Sequence, residues 1–165
     1  MASTIPGPAR DFVRVLTEAV DTAISGDDAA AYDTVTAQLG AALAAAPAGG
    51  RVLGDVLRSL LEDTHPDGLT SDDVTLLVGR CYRAAAAWLP PERVDVIMLL
   101  TVLAGALGVH EPDDAVPVDA PVWPDYAWHA PLLAADLLPF APATWSSYLE
   151  TTFAEYAREA REELP

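Results

Sequence analysis

The chain has 165 residues, 52% of them hydrophobic and 21% charged, which is enough apolar material for one substantial core and argues against disorder. Its 25 acidic and 9 basic residues give a net charge of −16 at pH 7. That balance argues against nucleic-acid binding, because phosphates are neutralised by Lys and Arg. The single cysteine excludes an internal disulfide framework and a cysteine-rich zinc site. Residues 1–12 lack a basic stretch followed by an apolar run, so we expect no signal peptide and a cytoplasmic location.

Apolar residues recur at helical spacing along most of the chain. We therefore predict an all-α fold, a single-domain bundle of about six helices over residues 1–165 with an irregular tail at 1–9. A Thr70–Asp73 capping box is expected to open one of the helices. The predicted helices cover residues 11–24, 28–46, 51–63, 71–89, 94–108, 129–138 and 143–163.

The most apolar segment runs from Val96 to Val109, fourteen residues without a charge. A membrane span needs roughly 20 such residues, so the length favours a buried core helix and no membrane role. We predict that 94–108 is the central helix of the bundle, with Leu99 and Leu103 in the core. Small residues would let a neighbouring helix approach one side of it, and these are Thr101, Gly105 and Gly108.

Catalytic and metal-binding patterns are weak in this sequence. It contains no glycine-rich phosphate loop with a lysine and no nucleophile elbow, so we predict a non-enzymatic protein without a cofactor. Cys81 lies on the apolar stripe of its helix, which is typical of core packing. A cluster of one imidazole and three carboxylates would suit Zn²⁺ or Mn²⁺, but no helical spacing presets its geometry. We interpret it as a solvated acidic loop without metal; its members are His110, Glu111, Asp113 and Asp114.

The region after the apolar helix has a different composition. Seven of the fourteen prolines fall between Pro112 and Pro142, which predicts a long loop over residues 111–127. Between Arg93 and Arg158 the chain has nine acids, no base and three of its four tryptophans. Aromatic side chains supply large contact areas, and carboxylates attract basic partners.

Two interpretations of this region stay open. The aromatic residues could pack onto the bundle as a cover, or they could form an exposed surface for a basic protein partner. In the second case the protein is an accessory, inhibitory or immunity-type factor. The alternative function is a small-molecule-binding protein or enzyme with a pocket under residues 111–129, and homo-oligomerisation is left open. The residues predicted to bind the partner are Asp113, Asp114, Asp119, Trp123, Asp125, Tyr126 and Trp128.

Overall fold

Helices make up most of the residues that the structure describes. The computed structural model describes residues 7–46, 48–108 and 123–162. No strand occurs within those ranges, so the predicted all-α bundle is confirmed. Short 3₁₀ turns lie at Pro91–Arg93 and Leu138–Phe140. The helices are α1 (Gly7–Ser25), α2 (Ala29–Ala45), α3 (Ala48–Thr64), α4 (Ser71–Ala86), α5 (Val96–Leu107), α6 (Trp123–Leu137) and α7 (Trp145–Glu162).

Side-chain caps fix the beginning of several helices. The predicted capping box is present at α4, where the Thr70 hydroxyl accepts from the Asp73 backbone N–H and the Asp73 carboxylate accepts from the Thr70 N–H. Asp28 caps α2, and Asp95 caps α5 by accepting from the Ile97 N–H at 2.8 Å. Each cap satisfies a backbone donor that the first turn of a helix leaves without a partner.

Two predicted boundaries are wrong at the start of helices. The tail predicted at 1–9 is already helical from Gly7, and a proline in the first turn is compatible with this because its missing N–H would have no helical partner. Gly49 and Gly50 lie inside the first turn of α3 instead of in the preceding linker. They accommodate close packing, because a Cβ on Gly50 would lie 2.6 Å from the Trp123 ring.

The loop predicted over 111–127 is corrected at its end. Residues 123–127 form the first turns of α6, while 109–122 lie outside the described residues. Pro124 is tolerated because it is in the first turn of the helix. Pro131 lies inside the helix, although proline normally disfavours that position. Nine buried residues of α6 give the tertiary packing that outweighs this local preference.

The central position in the bundle belongs to α6, so the prediction that residues 94–108 form the central helix is wrong. Helix α6 packs against α1, α2, α3, α4 and α5, whereas α7 packs mainly on α3. Helix α5 packs on α3, α4 and α6 and buries only one face. Leu99 and Leu103 are in the core as predicted, at 0% and 2% exposure. In the described ranges, no helix is long and apolar enough to cross a membrane.

Candidate functional site

The residues predicted to bind a partner have different environments. Asp113, Asp114 and Asp119 lie in the stretch that the structure leaves undescribed, as do His110 and Glu111 of the predicted acidic loop. The other four residues lie in the first turns of α6. Asp125 is exposed, Trp123 and Tyr126 are half-buried, and Trp128 is only 5% exposed.

Trp128 is a core residue that joins α6 to α2. Its ring packs edge-on against Tyr32 with centroids 5.7 Å apart, and its indole N–H donates to Asp33 at 3.1 Å. The Arg93 guanidinium lies 4.8 Å from the ring centroid and also binds Asp33 at 2.6 Å. These contacts engage the indole, so Trp128 has very little accessible surface for a partner.

The Tyr32 hydroxyl makes a second connection to α6. It donates to the Trp128 backbone carbonyl at 2.5 Å, and desolvation raises the pKa of this fully buried tyrosine well above its usual value. The neutral hydroxyl therefore acts as a donor to the α6 backbone.

Trp123 and Tyr126 pack against each other and against α3. Their rings are edge to face at 5.9 Å, and the Trp123 ring fits over Gly50. Burial raises the pKa of Tyr126 to about 12, with a further contribution from the carboxylate of Asp55. The Tyr156 hydroxyl of α7 donates to that same carboxylate at 2.5 Å. These residues join α3, α6 and α7, and both rings are half-buried.

His129 is a buried histidine with a partner at each ring nitrogen. Its Nε2 lies 3.0 Å from the Asp95 backbone N–H and must accept, so the proton is on Nδ1 and is donated to the Asp125 carbonyl at 2.7 Å. Burial lowers the pKa of His129 and favours this neutral form. The imidazole is thus occupied in joining α6 to α5, and it has no lone pair left for a metal or a substrate.

Cys81 lies in the core at 1% exposure, as its position on the apolar stripe predicts. Burial raises the pKa of the thiol to about 12, with the Asp136 carboxylate adding to the effect. A thiol that stays protonated at neutral pH is a poor nucleophile. Cys81 therefore acts as a small apolar side chain.

Two grooves in the described part of the chain lie on α1 and α2. The larger of the two has a volume of about 570 Å³, is open to solvent and is bordered by Arg14, Glu18, Asp21 and Asp28. The second groove is lined by residues of α2 as far as Gln38. No residue of α6 lines either groove, so the alternative of a ligand pocket under residues 111–129 gains no support from them.

The surface that the sequence did not predict is the outer side of α5. We call it the α5 outer face and define it as Val96, Ile97, Leu100, Thr101 and Leu107. Its four aliphatic members are 42%, 72%, 40% and 36% exposed, in chain order. The twelve residues of α5 contain no charged side chain. A contiguous exposed apolar patch of this kind is typical of an interaction surface.

Two of the three small residues predicted to receive a neighbouring helix lie on this exposed side. Thr101 and Gly105 are exposed, and nothing in the described structure lies within 4 Å of where a Cβ on Gly105 would be. At Thr101 and Gly105 no helix of the described bundle covers the predicted side, whereas Gly108 lies against Arg58 of α3. The exposed side of α5 could not be predicted from the sequence, because a helix that is apolar on all sides has no polar stripe to mark that side.

No known protein family matches the chain, and no curated protein or solved structure matches it.

Proposed function

We propose that this protein binds a basic protein partner through the α5 outer face, and acts as an accessory, inhibitory or immunity-type factor instead of an enzyme. The observation that carries the proposal is an exposed, charge-free helix face on a chain with a net charge of −16. Apolar contacts give an interface its lifetime, whereas opposite charge accelerates association and selects the partner. The start of α6 contributes less, because Trp128 is buried and Trp123 and Tyr126 are largely engaged.

The charge distribution supports a basic partner. Residues 94–165 contain 12 acids and 2 bases, and residues 1–93 contain 13 acids and 7 bases. Several arginines are already engaged within the bundle. Arg80 binds Asp136 through two nitrogens, and Arg93 binds Asp33. The net field around the molecule is therefore negative and attracts a positively charged protein.

Site-specific photo-crosslinking tests this proposal. A photoreactive p-benzoylphenylalanine at Ile97 should form an adduct with one basic protein in cells of the native source, and mass spectrometry would identify it. The same group at Ile24 is the control, because Ile24 is also exposed, at 54%, and lies on α1, away from α5. The proposal is supported by an adduct specific to position 97. It is wrong if both positions give the same adducts or if position 97 gives none.

A further inference from the structure

We infer that the element which docks on the α5 outer face is an amphipathic α-helix of the partner, with Lys or Arg beside its apolar stripe. This inference rests on the proposed function and specifies the partner. It follows from the shape of the face, from the state of the α5 backbone and from the charges at its border.

The shape of the face fits a helix. Ile97, Leu100 and Leu107 are exposed at spacings of three and seven residues, with half-buried Ala104 between them, so they form a row along the helix. Twelve helical residues are about 18 Å long, which corresponds to three to four turns of a partner helix. Rows of side chains at this spacing pack into the grooves of a second helix.

The backbone of α5 excludes strand pairing as the mode of docking. Its N–H and C=O groups are hydrogen-bonded within the helix, and Asp95 and Gly108 cap its two ends. An extended peptide laid on this apolar face would leave its own backbone groups without partners. A helix satisfies its backbone internally, so it can cover an apolar surface at no such cost.

The charges at the border call for a basic partner. Glu92 and Asp95 are exposed at the N-terminal end of α5. Glu62 is exposed on α3, one turn after Arg58, which binds α5. None of these three acids forms an ion pair within the described ranges. Of the two nearby arginines, Arg93 is paired with Asp33, whereas Arg58 donates to the Ala106 carbonyl at 2.8 Å and leaves one positive charge at the C-terminal end of α5.

A second copy of this chain fits the face less well than a basic helix. Two molecules that each carry −16 repel one another, and the repulsion is only partly screened at physiological salt. A stable dimer also buries about 800 Å² on each subunit. Four partly exposed aliphatic side chains supply only a fraction of that area.

Two labelled peptides and two protein variants test the inference. The probe is an 18-residue peptide of Leu and Lys with an amphipathic helical pattern, and its control is a scrambled peptide of the same composition. Binding to the full chain is measured by fluorescence anisotropy at 150 mM salt. The Ile97→Glu variant should bind the probe at least tenfold more weakly, because it places a carboxylate in the apolar contact. The Ile24→Glu variant adds the same charge on α1 and should bind as the unchanged protein does, or slightly more tightly.

The possible outcomes separate the explanations. Equal binding of both peptides, or equal effects of both variants, would show attraction by charge alone and overturn the inference. A dimer in sedimentation velocity that Ile97→Glu abolishes would assign the face to a second copy. A loss of more than about 5 °C in Tm for Ile97→Glu, without probe binding, would show that the chain itself covers the face. A crosslink from position 97 to a basic protein, without binding of the Leu/Lys peptide, would show that the docking element is not an amphipathic helix. The proposed function would stand in that case.

Discussion

The Nε2 atom of His129, on α6, accepts a hydrogen bond from the backbone N–H of Asp95, the residue that caps α5. The distance is 3.0 Å, and the imidazole is 3% exposed. A side chain of the central helix thereby fixes the start of the helix that carries the α5 outer face. Because a protonated imidazole cannot accept this bond, the contact depends on pH.

Acidification should destabilise the protein through His129. Burial lowers its pKa below the 6.5 of an unfolded chain, so the unfolded state takes up the proton first as the pH falls. The free energy of unfolding should then decrease below pH 6.5, by at most about 1.4 kcal/mol per pH unit, until the folded pKa is reached. Urea denaturation between pH 7.5 and 5 measures the slope. His129→Gln should flatten it; a slope equal to that of the unchanged protein would contradict this role.

Removal of the Tyr32 hydroxyl should destabilise the bundle without a change of fold. Tyr32→Phe deletes the donor to the Trp128 carbonyl and should lower the free energy of unfolding by about 0.5–1.5 kcal/mol, the usual net value of one hydrogen bond. Chemical denaturation measures the difference. Tyr82→Phe, at a half-buried tyrosine on α4, is the control and should change stability by less than about 0.5 kcal/mol. Equal effects of the two variants would show that this bond adds no stability.

Two glycines of α3 should respond to alanine with opposite signs. At Gly50 a Cβ would lie 2.6 Å from the Trp123 ring, so Gly50→Ala should displace that ring and destabilise the protein by about 1–3 kcal/mol. At Gly54 nothing lies within 4 Å of where a Cβ would be. Gly54→Ala should therefore stabilise the protein by up to about 1 kcal/mol, because alanine has the better helix propensity. Thermal denaturation of both variants measures this. Stabilisation by both substitutions would show that Trp123 does not pack on α3.

The two faces of α5 should differ in their sensitivity to truncation. Leu99→Ala removes a fully buried side chain and should cost about 2–5 kcal/mol. Leu100→Ala removes a 40% exposed side chain of the α5 outer face and should cost less than about 1 kcal/mol. Urea denaturation compares the two variants directly. A loss at Leu100 as large as that at Leu99 would mean that α5 is buried on both faces.

Helix positions could be predicted because they depend on local signals. The capping box of Thr70 and Asp73 and the apolar stripe that includes Cys81 are both present in the structure. The start of α6 could not be predicted, because Pro124 and Pro131 are typical of a loop. The central position of the helix, which offsets that preference, depends on contacts with residues far away in the chain, such as Tyr32.

The sequence by itself determined the all-α class, the acidic surface charge and the burial of Leu99, Leu103 and Cys81, because periodicity and composition act locally or over the whole chain. Only the tertiary structure decided which apolar surfaces stay exposed. Trp128 is buried in the core, where it contacts Tyr32 and Asp33, whereas α5, the most apolar helix, has one exposed face. The physical reason is that hydrophobicity specifies a tendency to be buried, whereas the partner that buries a side chain is set by packing between distant segments.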